Sequence, residues 1–353
     1  MTGTAVCLGL LAPATVVAAT QAALAALGRF PRRRQATQTA QPPAIVVLIP
    51  AHDEEAMIGA ALKSVAEQDY PAVRVVVVAD NCTDRTADVA ARYEARVVVR
   101  TDVARRGKGY AVAAGLHALR DESFDAVLML DADCTLNRAA IMELATTLAA
   151  GAGVAQANLR SRNADAGPGG FVAAVGSVVD AAVAAGRERV GLPGRLRGTG
   201  MAFRRSALGH VLWATASPVE DADYQRQLRA AGVRVRYCPG AEVSAAAPPR
   251  LNDLYRQRRR WAAAGPGESK PLGLALAAAG VTAALVTGQF VGWACGLAVT
   301  LILLYGVAAA EVGLTCRRLG FALAAPAVVV RLACVAVAGW LKPDRGWEPV
   351  RAG

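Results

Sequence analysis

Two aspartates stand two residues apart in Val127–Cys134, "VLMLDADC", directly after an apolar run. Carboxylates in this arrangement can hold a hard divalent cation, because Mg²⁺ and Mn²⁺ prefer oxygen ligands. The same spacing also suits a solvated loop, so Asp131 and Asp133 do not decide the matter alone. Lys108 lies in "RGKGYA", where flanking glycines let backbone approach a ligand; a solvated lysine at a helix start would read the same way. Gln257, Arg260 and Trp261 are spaced i, i+3, i+4 and share one face of a helix, with Arg258 and Arg259 pointing elsewhere. His52, His117 and His210 have no metal-ligand spacing. The seven cysteines, at 7, 82, 134, 238, 295, 316 and 334, form no Cys-x-x-Cys pair, which leaves a zinc site or disulfide framework unsupported.

The elements that must carry these groups follow a strand–helix rhythm. The apolar run before Asp131 reads as a strand buried on both faces, with the acids at its C-terminal end, the edge where open α/β sheets bind ligands. Upstream, Ile45–Ile49 is a β-branched run stopped by Pro50, and Ile58, Leu62 and Val65 mark one face of the next helix. Val73–Ala79 is a second strand, and Thr83 can cap a helix to about Tyr93. Val97–Val99 is a third strand, Gly109–Leu119 a helix and Ala126–Leu130 the fourth strand. This alternation predicts a mostly parallel sheet with helices on both faces. Further on, 164–170 reads as a loop, Phe171–Arg187 as a helix, and 197–204, "RGTGMAFR", as a Gly-rich turn entering a strand. Ser217-Pro-Val-Glu220 fits a capping box with Ser217 as N-cap. Asp221 then falls in the first turn, where the helix dipole favours its ionised form. Val233–Tyr237 is a short strand and 251–261 a helix.

Composition adds a membrane. Of 353 residues 54% are hydrophobic and 19% charged, and the apolar residues concentrate in 5–28 and 272–341. The formal charge of +11 gathers in Arg29 with Arg32–Arg34 and in Arg256 with Arg258–Arg260. Both clusters adjoin apolar runs and read as cytoplasmic flanks of membrane helices. Nucleic-acid binding is disfavoured, because no aromatic residues interleave with the basic ones. The first apolar run lacks the basic start of a signal peptide and is long enough to span. Two spans are expected between Pro271 and Ala310, meeting near Gly288-Gln289, with Arg317 and Arg318 back inside. Phe321–Leu341 contains Pro326 and Arg331 and is expected to lie along the cytoplasmic interface. The expected organisation is a membrane helix at 1–30, a linker at 31–43, one domain at 44–268 and a membrane region at 269–353.

Five stretches stand in order: "IPAHDEE" at 49–55, "VVVADNCTDRT" at 76–86, "RRGKGYA" at 105–111, "DAD" at 131–133, and "ED" at 220–221 with "QRRRW" at 257–261. Together they resemble the family 2 glycosyltransferases, in the membrane-bound branch of cellulose, chitin and hyaluronan synthases and ceramide glucosyltransferases. The resemblance covers about 44–265, and the terminal "RGWEPVRAG" is similar to the cytoplasmic tail of bacterial members. It implies a GT-A fold and an inverting transfer from a nucleotide sugar, usually a UDP-sugar, with Mg²⁺ or Mn²⁺. Asp133 is then the metal ligand, and Asp131 holds the ribose or donor sugar with a share in the metal. Pro50, Ala51 and Glu54 match the first nucleotide-binding segment, Asp80 the acid that recognises uracil, and Lys108 a position near the nucleotide. Asp221 matches the general base, with Glu220 in support, and Gln257, Arg260 and Trp261 the motif at the donor diphosphate and acceptor channel. Val219 stands where the family usually has Thr. His52 and Asp53 are expected to shape their loop, and Cys134 to pack. Three spans and a doubtful fourth are few for a polymer channel, so the expected acceptor is a lipid or lipid-linked saccharide at a bacterial inner membrane, with the catalytic domain cytoplasmic. A polysaccharide synthase that borrows helices is the alternative, and a sugar nucleotidyltransferase a distant one.

Overall fold

The computed structural model describes residues 3–30, 42–71, 73–217, 219–248, 250–262 and 270–341. Residues 31–41 of the expected linker, Arg32–Arg34 among them, Pro218 and the tail after Leu341 lie outside the described residues, as does the side chain of Arg260. The chain divides into two compact units. One comprises Arg32–Arg160 with Gly191–Ala245; the other comprises Met1–Pro31, Ser161–Val190 and Ala246–Gly353. Residues 161–190 and 246–262, expected within one continuous domain, therefore pack with the flanking helices.

In chain order, α1 (Gly3–Arg29) precedes β1 (Ile45–Ala51), α2 (Ile58–Ala66), β2 (Arg74–Asp80), α3 (Thr86–Ala91), β3 (Arg96–Arg100), α4 (Lys108–Ala118) and β4 (Ala126–Met129). Then come β5 (Thr135–Leu136), α5 (Ala140–Ala149), β6 (Val154–Ser161), α6 (Pro168–Arg189), β7 (Met201–Arg204), α7 (Arg205–Leu208), α8 (Glu220–Ala230) and β8 (Val235–Ala245). Helices α9 (Leu251–Ala262), α10 (Lys270–Thr287), α11 (Val291–Val312) and α12 (Cys316–Leu341) complete the described chain.

The sheet order is β3-β2-β1-β4-β7-β6-β8-β5. Strands β3, β2, β1 and β4 are parallel; β7 joins β4 antiparallel, β6 joins β7 antiparallel, and β5 joins β8 antiparallel. The sheet is thus parallel from β3 to β4, and the pairs β4–β7, β7–β6 and β8–β5 beyond are antiparallel. Successive residues of a strand face opposite sides, and both sides are covered. Ile45, Val47 and Ile49 pack with Leu62 of α2 and Leu144 of α5. Val46 and Leu48 pack with Val112 of α4 and Leu228 of α8. This double burial is why the strand sequences are continuous apolar runs rather than alternating ones.

Three local expectations are corrected. Helix α3 starts at Thr86 with Arg85 as N-cap, not at Thr83, because Thr83 is bonded to Asp53 through both its N–H and its hydroxyl. The capping box does not form. Val219 is the N-cap of α8 and Glu220 its first residue, while the Ser217 hydroxyl accepts from Val219 N–H instead of reaching into the helix. The expected loop at 164–170 is a short 3₁₀ turn (Ala164–Ala166), and α6 begins at Pro168.

In the helical unit, Cys7 and Leu11 of α1 pack with Ala277 and Ala284 of α10 and with Leu297 of α11. Thr4 donates to Gln289 at the α10–α11 turn, and Arg29 at the other end of α1 pairs with Glu311 near the end of α11, 2.8 Å. These three helices therefore run antiparallel in turn, with the turn where Gly288-Gln289 was expected. By length and composition α1, α6, α11 and α12 are each apolar enough to cross a membrane, and α10 is shorter.

Candidate active site

The carboxyl ends of β1, β2 and β4 lie side by side, since β1 is hydrogen-bonded to both neighbours. Chain order reverses there: the connection leaves β1 towards β2 on one side, while β4 is added on the other. This is the switch point where α/β sheets bind ligands. Pro50 and Ala51 end β1, Glu54 follows in the turn, and Asp80 ends β2. Asp131 and Asp133 follow β4 just past Leu130. Two strand spacings, roughly 10 Å, separate the lines of β2 and β4.

At the β2 end, Asp80 is 3% exposed and forms an ion pair with Arg100 from the end of β3, Oδ1 to Nη1 2.5 Å. The same oxygen accepts from Asn81 Nδ2, and Arg100 reaches on to Asp102 at 3.1 Å. The His52 ring donates from Nδ1 to the Asp80 carbonyl, 2.7 Å. Asp53 accepts from Thr83 N–H, a bond that outweighs burial and holds its carboxyl below the usual range. His52 and Asp53 thus shape the loop. The cluster of Asp53, Cys82 and Asp84 uses its acids on turn N–H groups of Thr83, Glu55 and Thr86.

At the β4 end the groups converge. Oxygens of Asp131 and Asp133 and the Cys134 sulfur lie within 4.8 Å of one another. Lys108, at the start of α4, places Nζ 2.5 Å from Asp131 Oδ1 and 3.7 Å from Glu220 Oε1, and donates to the Gly198 carbonyl at 2.7 Å. Burial works against the Lys108 ammonium, but Asp131, Glu220 and Asp221 outweigh it and hold the group above the ordinary lysine range. Burial pushes the Asp133 carboxyl up, and the charge of Asp131 adds to this. Four carboxylates therefore face one ammonium. That surplus of hard oxygen donors fits a divalent cation. The Cys134 thiol, raised first by burial, donates to Asp133 at 3.3 Å and is 2% exposed. Packing was the expected role; orienting Asp133 is added to it.

Asp221, second residue of α8, accepts from Ala222 N–H at 2.9 Å. Helix α8 is fixed by buried Tyr224, whose ring packs at a tilt against Trp213, centroids 4.6 Å apart, and whose hydroxyl donates to the Trp213 carbonyl. Glu220 is not a capping acid but a second partner of Lys108.

The structure thus gathers Lys108, Asp131, Asp133, Glu220 and Asp221 in the sheet unit. Gln257, Arg260 and Trp261 are on α9, in the helical unit. Trp261 is 39% exposed, and the Arg258 guanidinium lies 4.6 Å from its ring centre, so Arg258 shares that face rather than pointing away. Two partners of the acids escaped the sequence argument. Arg100 stands just past the strand expected at Val97–Val99, and in the structure it is the last residue of β3. Thr199, whose Oγ1 accepts from Asp131 N–H at 3.0 Å, was legible only as part of a Gly-rich turn; its placement between two glycines was the available signal.

Comparison with known proteins agrees with this geometry. Residues 42–264 match the model of the family described as glycosyltransferase like family 2. The chain is 28% identical over 247 residues to a probable glycosyltransferase, YdaM, of Bacillus subtilis, covering 62% of this chain and 54% of that protein. It is 24% identical over 227 residues to a poly-β-1,6-N-acetyl-D-glucosamine synthase of Staphylococcus epidermidis, covering 63% and 54%. The chain spans about half the length of these curated relatives. Among solved structures, the mannosyltransferase PcManGT of Pyrobaculum calidifontis, in complex with GDP-mannose and Mn²⁺, superposes with a TM-score of 0.61 at 19% identity, over 97% of this chain and 99% of that one. The sheet and its helices have the GT-A fold, and the chain belongs to glycosyltransferase like family 2.

Proposed function

We propose that this enzyme transfers a sugar, with inversion, from a UDP-sugar to a hydroxyl of a lipid or lipid-linked acceptor at the cytoplasmic face of a membrane. The observation that carries this is the meeting of Lys108, Asp131, Asp133 and Asp221 at the switch point of the sheet. Asp133 and Asp131 would hold Mg²⁺ or Mn²⁺, which when bound neutralises charge on the diphosphate leaving group. The strand ends at Pro50, Ala51, Glu54 and Asp80 receive the nucleoside, and Gln257, Arg260 and Trp261 of α9 serve the diphosphate and the acceptor.

The chain's own groups account for the transfer. Asp221 takes the proton of the acceptor hydroxyl. The oxygen attacks the anomeric carbon as its bond to the diphosphate oxygen breaks, and the nucleoside diphosphate leaves with the electron pair. Lys108, held cationic, opposes the negative charge that develops on the leaving group. One displacement needs one base, so the anomeric configuration inverts.

The helical unit supports a membrane setting. Leu323, Val286 and Ile302 are 86%, 80% and 69% exposed on apolar helices, a pattern suited to lipid rather than water. Helix α6 is apolar too, but β6 and β7 on either side of it in sequence are hydrogen-bonded neighbours. Both its ends must return to one side of a bilayer, which favours an interfacial α6 over a crossing one. Helix α9 carries Arg256, Arg258 and Arg259, and its Leu254 and Tyr255 pack on Val328 and Leu332 of α12. The Arg331 guanidinium lies 4.7 Å from the Tyr255 ring centre. An α12 running along so basic a helix supports the interfacial placement expected for Phe321–Leu341.

A second reading, extension of a polysaccharide, is favoured by the likeness to the poly-β-1,6-N-acetyl-D-glucosamine synthases. The test is release of free UDP by the detergent-solubilised protein from a panel of UDP-sugars with Mn²⁺, with GDP-mannose alongside. Metal-dependent UDP release that stops in EDTA is expected. Activity with GDP-mannose only, or undiminished in EDTA, would overturn the donor and metal assignments. Product mass separates single transfer from a polymer.

A further inference from the structure

The mechanism leaves unused a buried side chain beneath the site. Gln156 of β6 is 1% exposed, and every polar atom of its amide is engaged. Its Oε1 accepts from Arg197 N–H at 3.0 Å, and its Nε2 donates to the Thr199 carbonyl at 2.9 Å and to the Ala157 carbonyl at 3.0 Å. A donor on one side and an acceptor on the other fix which way the amide faces. It therefore clamps both ends of the tripeptide Arg197–Thr199. On its other side this loop meets the reacting groups. The Gly198 carbonyl accepts from Lys108 Nζ, and Thr199 Oγ1 accepts from Asp131 N–H. A Cβ at Gly198 would lie 3.8 Å from Lys108 Nζ and 3.9 Å from Asp221 Oδ2, so this residue floors the space between the cation and the base. The loop's shape needs φ of +81° at Gly198 and +65° at Gly200, which side-chain-bearing residues rarely adopt. Its leading edge is tied to the helix of the base as well: Gln225 of α8, one turn after Asp221, accepts from Leu196 N–H at 2.8 Å.

We propose that Gln156 and Thr199 are positioning residues of the transfer: Gln156 sets the Arg197–Gly200 loop, and the loop aims Lys108 and Asp131 through the Gly198 carbonyl and the Thr199 hydroxyl. Neither touches substrate. This rests on the assignment of Lys108 and Asp131 to the donor site. A displacement of about 1 Å in such a site can cost about 10²-fold in rate, whereas the nucleoside end at Asp80 belongs to other elements. The signature is therefore a fall in kcat with KM for the donor little changed.

The experiment compares parent, Gln156→Met, Thr199→Val and Thr199→Ser in the full-length solubilised protein, with far-UV circular dichroism as a check of folding. Gln156→Met keeps the volume and loses the clamp; it should lower kcat about 10–100-fold with KM for the UDP-sugar within about threefold. Thr199→Val keeps the shape and loses the acceptor; it should fall similarly, and Thr199→Ser should recover most of the loss. A Gln156→Met protein that melts earlier yet turns over at the parental kcat would reduce Gln156 to a packing residue and overturn the proposal. Should that variant not fold, the Thr199 pair decides alone: equal rates in Val and Ser overturn the proposal, and a Ser-rescued loss upholds it. An inactive parent would overturn the donor-site assignment and this inference with it, whereas an active parent with undisturbed variants overturns this inference only.

Discussion

Replacing Lys108 by methionine removes the one ammonium among four carboxylates while keeping most of the side chain's length. Two charged hydrogen bonds are lost, to Asp131 Oδ1 at 2.5 Å and to the Gly198 carbonyl at 2.7 Å. Such bonds contribute about 1.5–3 kcal/mol each. Asp131 is one-third exposed, which places its share at the low end, so a stability loss of about 3 kcal/mol follows. A donor aimed at developing charge is worth about 10²–10³ in kcat, and the variant should fall by that factor. The affinity for Mn²⁺, read as a thermal shift on metal addition, should rise, because a like charge has left the acids. The folded chain holds the Lys108 ammonium above its ordinary value. Its stabilising contribution is therefore full below about pH 10.4 and fades only as pH climbs through the raised value, so the parent should show no titration of Lys108 between about pH 6 and 9. The reasoning would be refuted by a variant whose kcat stays within threefold of the parent, or whose Mn²⁺ affinity falls.

Asp133→Ala should abolish Mn²⁺-dependent turnover while the protein stays folded; near-parental activity in Mn²⁺ would undo the metal assignment. Asp221→Asn should lower kcat about 10²–10⁴-fold with UDP-sugar binding nearly unchanged, and an equal loss in Glu220→Gln would reverse their roles. Arg100→Met leaves the buried Asp80 carboxylate without its ion-pair partner and should cost about 3–5 kcal/mol; an unchanged denaturation midpoint would show the pair to be dispensable. A reporter active only in the cytoplasm, fused after Gly353, should be active if α12 is interfacial, and a silent one beside an active fusion after Arg318 would mean that the helix crosses.

The parallel half of the sheet was legible because its strands are buried on both faces and read as unbroken apolar runs, as Ile45–Ile49 and Val127–Leu130 do. The acids were legible because each ends a strand or begins a helix. Pairing was not: the antiparallel part of the sheet depends on β7 returning beside β4, which no local pattern announces. Helix α6 was found but not its apolar character in the helical unit, since its many alanines and glycines mask a close crossing with α1. There Gly28 meets Ala182 and Gly186 meets Leu24, with no room for a Cβ. Ser217 shows the limit of motifs: the sequence fits a capping box, and the chain uses the hydroxyl one residue earlier, on Val219 N–H. Glu220, freed from capping, faces Lys108, and only tertiary structure could bring residues 108 and 220 together.

The central claim is a single displacement at the anomeric carbon with Asp221 as the base. Proton NMR of the first product from an α-linked UDP-sugar, recorded with Mn²⁺ before any anomeric equilibration, tests it most directly. The account predicts a β-linked product from the parent and very little product from Asp221→Asn. An α-linked product would contradict direct displacement and call for a covalent or front-face route.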